Sequence, residues 1–393
     1  MRLRTLRTRG FRNLEDGDLE FPPEGAAILG ENAQGKSNLL EAIYYLEALR
    51  SFRGSRDDQL IRFGADHFRL VGSLEPGSAE GVDRGGDPPS GTRREETDPL
   101  EVAAAFQRSP RTKKVTLNGD EAERLAEGVG RVGAVIFTPD DLRLITDGPQ
   151  ERRRFLDTLL SLNDRAYLSA LQRFRQILAQ RNAALRDGAP AAGVRAWDNG
   201  LVRAGAVVSL ARLRWVQEAS PGFRKLYGAV SGGDGARMEY VPGIPGAEGA
   251  ESEDEIQEAF LASLEGDRER ERTRGTTLSG PQRDELRFQH EGGEGEGDRD
   301  LRAFGSGGQR RTAALALRLL EAEAVRSRRG REPLLLLDDV FAELDEGRSG
   351  RVLDLLEEAA VGQVILTAPK EADLRFRRDR LSRWVIRAGR VDR

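Results

Sequence analysis

An α/β fold interrupted by a helical insertion is what this sequence predicts, on three observations. The apolar run Ala26-Ala27-Ile28-Leu29 passes through Gly30-Glu31-Asn32-Ala33-Gln34-Gly35-Lys36-Ser37 into a helix-forming run from Leu39 to Leu49. Strand, glycine-bounded loop, Lys-Ser and helix, in that order, make a P-loop. Far downstream, Leu334-Leu335-Leu336-Leu337 reads as a strand buried on both faces and ends in Asp338-Asp339, a Walker B pattern. Between the two, beyond Gly148-Pro149, the apolar period changes to that of helices.

Composition narrows the chemistry. The 66 acidic residues slightly outnumber the 62 basic ones, for a net charge of −4. Any nucleic-acid contact therefore has to come from local arginine clusters and not from overall charge. The chain has no cysteine, which excludes a disulfide framework, a thiolate metal site and a thiol nucleophile. His67 and His290 are the only imidazoles. No window approaches the run of about 18 apolar residues that spans a bilayer. The basic start, Met1-Arg2-Leu3-Arg4-Thr5-Leu6-Arg7, has no apolar signal core behind it. A cytoplasmic protein is expected.

In chain order, Leu3–Phe11 and Leu19–Phe21 read as strands, and Pro22-Pro23-Glu24-Gly25 turns into the P-loop strand. A polar, basic loop, Ser51–Asp58, follows the P-loop helix. Strands are expected at Phe68–Leu74 and Glu101–Gln107, with a hairpin around Val115–Asp120 and a flexible loop over Pro76–Pro99. Val132–Phe137 is a short strand ending in the turn Thr138-Pro139-Asp140-Asp141. Helical periodicity then runs from Glu151 to Arg186, and again from Val194 to Ala219 until Pro221-Gly222. Ser231–Asp254 reads as a linker and Glu255–Leu264 as a short helix. Strand character returns at Leu278–Phe288, and a loop at Glu291–Asp300 leads to Ser306-Gly307-Gly308-Gln309 and a helix, Arg310–Arg326. Val352–Glu358 reads as a helix, and Val364–Leu366 and Trp384–Ile386 as strands. The expected division is a head made of residues 1–145 and 270–393, with a helical arm at 146–269.

The motifs explain one another chemically. Glycines let the P-loop curl so that backbone N–H groups of Gly30 through Ser37 converge on phosphates at a helix N-terminus. Lys36 is expected to bridge the outer phosphates, and the Ser37 hydroxyl to sit on Mg²⁺ with Asp338. Asp339 is placed to orient the attacking water as a base. Ser306-Gly307-Gly308-Gln309 opens a helix and comes one helix-length before Walker B, which is the order of motifs in ABC-type ATPases. There such a signature closes over the γ-phosphate held by a second subunit, although a serine before a helix is also an ordinary N-cap. Glu343-Leu344-Asp345 matches the D-loop position, with Asp345 facing nucleotide. Thr367 falls where a γ-phosphate switch residue, usually His, is found; with Thr there, slow hydrolysis is expected.

Gly10-Phe11-Arg12-Asn13-Leu14, the P-loop and Asn38–Ile43 together resemble the amino end of the RecF family. Phe137–Leu142, Arg152–Asp157, Gln180–Leu185 and Gly280–Leu286 resemble its central motifs, and Gln309–Leu317 and Leu334–Asp345 its carboxyl half. Gln282 stands where the family usually has His, and Gly307 where it usually has Gln. The resemblance implies an ABC-type P-loop head like those of Rad50 and SMC proteins. It implies ATP and Mg²⁺ as cofactors, a homodimer formed on ATP, and binding to DNA at single-stranded gaps. RecO and RecR are the implied partners in loading RecA in place of single-strand-binding protein. Arg12 and Asn13 are expected beside the nucleotide. Arg152, Arg153, Arg154, Arg173, Arg175 and Arg181 are candidates for phosphate contact, or else for salt bridges and a solvated helix face. A transporter subunit would have no need of the Arg152–Asp157 element, and the insertion is too short for the coiled coil of an SMC protein. A nucleotide-gated DNA clamp in another repair role is the alternative.

Overall fold

The computed structural model describes residues 2–75, 99–292, 297–341, 346–359, 362–371 and 381–393. The expected loop at Pro76–Pro99, part of Glu291–Asp300 and the D-loop with Asp345 lie wholly or largely outside the described residues. In chain order the strands are β1 (Arg2–Arg9), β2 (Gly17–Glu20), β3 (Gly25–Leu29), β4 (His67–Glu75), β5 (Leu100–Gln107), β6 (Thr112–Leu117), β7 (Asp120–Glu121) and β8 (Ala134–Phe137). They continue with β9 (Ala236–Val241), β10 (Glu285–His290), β11 (Arg299–Asp300), β12 (Leu334–Asp338), β13 (Val364–Ala368), β14 (Ser382–Arg387) and β15 (Arg390–Asp392).

Two compact units divide the chain: Met1–Asp140 with Glu321–Arg393, and Asp141–Leu320. In the first unit one sheet runs β2-β1-β4-β5-β6-β7, antiparallel throughout. The other runs β15-β14-β3-β13-β12-β8, parallel except for β15. The helix Lys36–Ala48 packs against β4 and β5 of the one sheet and β8 and β12 of the other. Between two sheets it cannot be amphipathic, and every residue from Leu39 to Ala48 is buried. Each large apolar side chain buried there is worth about 1.5–3 kcal/mol. Glu41 and Glu47 enter this core only because they are bonded: Arg12 and Ser51 hold Glu41, and the N–H groups of Val132 and Gly133 hold Glu47. β3, β12 and β13 are short apolar runs buried on both faces, the pattern of central parallel strands.

The second unit packs four longer helices, Pro149–Asn163, Arg165–Arg186, Asp198–Ser231 and Glu253–Gly266, with the small sheet β11-β10-β9. Phe174, Leu201, Ile256, Phe260 and Leu264 are among its core. Four expectations change here. The run Glu151–Arg186 is two helices, because Asp164 adopts an extended backbone and its carboxylate accepts from the N–H groups of Ala166 and Tyr167, capping the second. Pro221 does not end a helix. The helix continues to Ser231 because Phe223, Tyr227 and Val230 beyond the proline are fully buried, which offsets the loss of about 3 kcal/mol or more. The expected linker Ser231–Asp254 contains β9, whose pairing with β10 (Phe288 opposite Met238) gives it a partner that local composition does not show. That pairing, with Arg181 bonded to Glu271 and Thr277, also draws 270–320 into the helical unit rather than the head.

Of the six arginines that are candidates for phosphate contact or else for salt bridges, three are internal braces. Arg181 is fully buried, donating to Asp198 at 2.9 Å, Glu271 at 2.8 Å and Thr277 at 2.8 Å. Arg152, also buried, makes a two-pronged pair with Glu285 at 2.7 and 2.9 Å. Arg153, half-buried, donates to the Asp284 carbonyl at 2.7 Å. Arg154, Arg173 and Arg175 are exposed, with Arg175 paired to Asp157 at 2.6 Å. A buried arginine with two carboxylate partners leaves uncompensated charge when removed. Arg181→Leu is expected to lower stability by about 3–5 kcal/mol in urea denaturation; a loss under about 1 kcal/mol would show that the brace is dispensable.

Candidate functional site

Parallel strands deliver their loops to one end, and here the carboxyl ends of β3, β13 and β12 lie side by side. The P-loop leaves β3, Asp338 and Asp339 end β12, and Thr367 lies on β13 between them, in register with both Ile28 and Asp338. Two glycines of the loop are required, Gly30 by space and Gly35 by its left-handed backbone. A Cβ on Gly30 would lie 2.6 Å from the Ile386 carbonyl oxygen. Gly35, at φ 116°, would place one 3.0 Å from Asn13 Oδ1. No side chain caps the helix that Lys36 begins, and its first turn holds no acidic residue. Its N–H groups are therefore left to an anion.

Lys36 is buried, and its ammonium is folded onto its own loop, donating to the Gly30 carbonyl at 2.7 Å and that of Glu31 at 3.2 Å. Asp339 approaches it to 3.9 Å. The Ser37 hydroxyl donates to Asp338 Oδ1 at 2.9 Å, joining Walker A to Walker B. These oxygens are the hard donors that Mg²⁺ takes, few in number so that the ion keeps waters and phosphate oxygens. Burial raises the Asp338 carboxyl above its usual range; hydrogen bonds from Ser37 and Thr367 work against this, Asp339 adds to it, and the Arg53 guanidinium opposes it. A buried carboxylate with an incomplete set of donors fits a cation site.

Thr367 does not face outward as a switch histidine would. Its buried hydroxyl donates to Asp338 Oδ1 at 2.9 Å and accepts the Asp339 N–H at 3.1 Å. The second bond holds Asp339 at φ 49°, a left-handed conformation that non-glycine residues seldom adopt. Thr367 thus positions both carboxylates. Asn13 reaches the P-loop, donating to the Gln34 carbonyl at 3.4 Å and accepting from Asn38 at 2.8 Å. Arg12 is committed to Glu41 at 2.9 and 3.1 Å and to Ser55 at 2.9 Å, so it braces the helix behind the loop. Glu31, Asn32 and Ala33 are exposed at the loop tip, with Ala33 at φ 65°. Gln34 ties the loop to the β14–β15 turn through Ala388 and Gly389. Arg53 was read only as part of a basic loop. It is exposed, donates to Asn38 at 3.0 Å and is close enough to act on Asp338, so it joins the site. The signal available was its position between the P-loop helix and an aspartate pair.

In the second unit, Ser306 and Gln309 form a reciprocal cap. Ser306 N–H donates to Gln309 Oε1 at 2.8 Å and Gln309 N–H to Ser306 Oγ at 3.2 Å. The N-cap reading of this serine is the one these bonds express, and the cap leaves the hydroxyl proton unused. Ser306 and Gly307 are exposed, Gly308 and Gln309 partly so. A Cβ on Gly307 would meet nothing within 4 Å, so nothing inside this chain demands a glycine there.

The RecF/RecN/SMC N terminal domain family matches residues 2–387. The DNA replication and repair protein RecF of Salinibacter ruber is 36% identical over 377 residues, spanning 94% of this chain and 85% of that protein. The RecF of Anaeromyxobacter sp. is 38% identical over 370 residues, spanning 93% and 92%. The chain belongs to the RecF family. A solved structure of the recombination mediator protein RecF with ATPrS, in the RecFOR pathway, superposes with a TM-score of 0.85 at 28% identity, covering 99% of this chain and 97% of that one. The Smc head domain of Pyrococcus furiosus shares the fold alone, at a TM-score of 0.53 and 18% identity over 100% and 95% of the two chains. This RecF-family chain is accordingly a DNA replication and repair protein with an ABC-type ATPase head. Among the described residues no helix is long and apolar enough to cross a membrane.

Two outcomes test the site. Thr367→Val is expected to lower kcat for ATP by about ten- to a hundredfold, the worth of about 1–3 kcal/mol of lost positioning. KM should stay near wild type and Thr367→Ser should restore the rate; equal rates for Val and Ser would remove Thr367 from the site. Because the folded state raises the Asp338 carboxyl, its ionised form opposes folding at neutral pH. Asp338→Asn is therefore expected to raise the ligand-free melting temperature at pH 7, with the gain vanishing as pH falls below the unfolded carboxylate pKa of about 3.9. A lower melting temperature at pH 7 would contradict the direction.

Proposed function

We propose that this chain binds ATP with Mg²⁺ between Walker A and Walker B and uses it to join two copies into a DNA-binding dimer, with slow hydrolysis as the release step. The observation that carries the reading is the hydrogen-bonded set Ser37, Asp338 and Thr367, with Lys36 and Asp339 at its mouth. Gly30–Ser37 surrounds the phosphates with N–H groups, and Lys36 exchanges its two carbonyl partners for phosphate oxygens. Ser37 and Asp338 hold the metal, which supplies charge neutralisation to the phosphates. Asp339 takes the proton of the attacking water, oriented by Thr367. Asn13 lies beside the nucleotide, and Asp345 belongs to the D-loop of the joined heads. Without an imidazole at 367, no cationic group on β13 assists the departing phosphate, which agrees with slow turnover.

The second copy enters through Ser306–Gln309. Its exposed serine, a glycine with open space above it, and Phe304 at 75% exposure form a surface that nothing in this chain covers among the described residues. Serine hydroxyl and glycine N–H groups at a helix start suit a γ-phosphate held by a partner. DNA, and RecO- and RecR-type partners in RecA loading, complete the reading; the RecFOR pathway named for the similar structure and the replication and repair name of the relatives support it.

Solution mass by light scattering is the decisive experiment. Asp339→Asn with ATP is expected to double in mass, whereas the same protein with ADP, or with Ser306→Arg added, should stay at the lower mass. A mass indifferent to nucleotide would defeat the dimer mechanism and leave only a nucleotide-binding head.

A further inference from the structure

The outer face of the antiparallel sheet carries cations that the nucleotide site does not use. Arg9 on β1 and Arg69 on β4 are direct cross-strand partners, so their side chains rise from the same face, and both are exposed. Like charges placed directly opposite each other weaken a sheet. Neither guanidinium lies within ion-pair distance of a carboxylate among the described residues, though Arg9 is near enough to Asp18 to help lower its carboxyl. The row continues from Arg69 to Ala105 on β5 and Lys114 on β6, with alanine adding no bulk between the cations. The acids near this row are already engaged: Glu121 pairs with Lys114 at 2.9 Å, and Asp18 with Arg7 at 2.6 and 2.9 Å.

A second observation stands next to the end of β1, just beyond Arg9. Phe63, in the turn that Ala65 N–H closes on the Arg62 carbonyl at 3.0 Å, is fully exposed. The turn is bonded to the residue after Arg9, since Arg62 N–H donates to the Gly10 carbonyl at 2.8 Å. Folding gains nothing from a phenylalanine ring left wholly in water, and it loses something to paired arginines. Both features therefore ask for a ligand that is anionic and offers a flat apolar surface.

We propose that this end of the sheet binds DNA, with Arg9 and Arg69 on the phosphates of one strand and Phe63 stacked on an unpaired base. The inference rests on the DNA-binding reading above and adds where the DNA lies and which part of it is read. Cations that follow the backbone beside an aromatic platform are the physical means of holding a single strand. A continuous duplex offers the same phosphates but keeps its bases stacked away from the ring. The combination favours a strand that leaves a duplex, as at the edge of a gap.

The test measures binding of the full chain, with a non-hydrolysable ATP analogue, to a gapped and a continuous duplex over a salt titration. Arg9→Ala with Arg69→Ala is expected to flatten the slope of log affinity against log salt by about 1.8 on both DNAs, and lysine at both positions to restore it. Phe63→Ala is expected to weaken the gapped duplex by roughly tenfold and leave the continuous duplex unchanged. Turnover of ATP without DNA should match wild type throughout, and the double alanine variant should melt no lower than wild type. Wild-type slopes and affinities in these variants would overturn the assignment of the surface, as would a lowered melting temperature that accounts for the loss. If the wild-type chain itself shows no salt-dependent DNA binding, the DNA-binding reading falls first and this surface with it.

Discussion

One carboxylate oxygen, Asp338 Oδ1, organises the head. It accepts from Ser37 and from Thr367, each at 2.9 Å, and so links three adjacent strand ends through side chains as well as through the sheet. The arrangement demands that β13 lie between β3 and β12, that position 367 carry a hydroxyl, and that position 337 be followed by an acid rather than a neutral residue. It also leaves the carboxylate poorly solvated, with one neighbouring acid and two neutral donors. A carboxylate so placed favours a cationic partner. Much of what surrounds it, from the buried helical stretch Leu39–Ala48 to the buried strands β3, β12 and β13, serves to keep those three ends from shifting.

The helical unit solves a different problem with similar means. Arg212 is buried with Asp157, Asp284 and the Tyr167 hydroxyl, and Arg181 with Asp198 and Glu271. These clusters connect helices that also share an apolar core, and they fix its packing because a misplaced arginine would be left unpaired inside. Arg152, Arg181 and Arg212 are the buried ones, while others of the same unit, such as Arg154, Arg173 and Arg175, meet solvent.

Motifs whose meaning is local were legible in the sequence. The P-loop, the leucine strand before Asp338-Asp339 and the capped helix at Ser306 each carry their structure within a few residues. What depended on distant partners was not. Arg152 and Arg181 look like surface cations until Glu285, Asp198 and Glu271 are brought beside them. β9 is two-residue alternation too short to stand out from its linker, and only β10 makes it a strand. Pro221 carries the strongest local stop signal in the chain, yet the burial of Phe223 and Tyr227 overrides it. Thr367 was located correctly next to the Walker pair, but its hydrogen bonds turn a presumed sensor into a positioning group.

The head is built from the two ends of the chain, with β3 paired to β13 and β14 and the whole second unit threaded between them. On the ribosome, therefore, the P-loop emerges early but has no neighbouring strand until the last part of the chain is made. Contacts this distant in sequence are slow to form, whereas the helical unit has its core complete well before. Nascent chains would hold an unfinished nucleotide pocket throughout synthesis, and a truncated product would carry a P-loop without the strands that make it bind. The order of motifs along the chain thereby delays the pocket until β13 and β14 have joined β3.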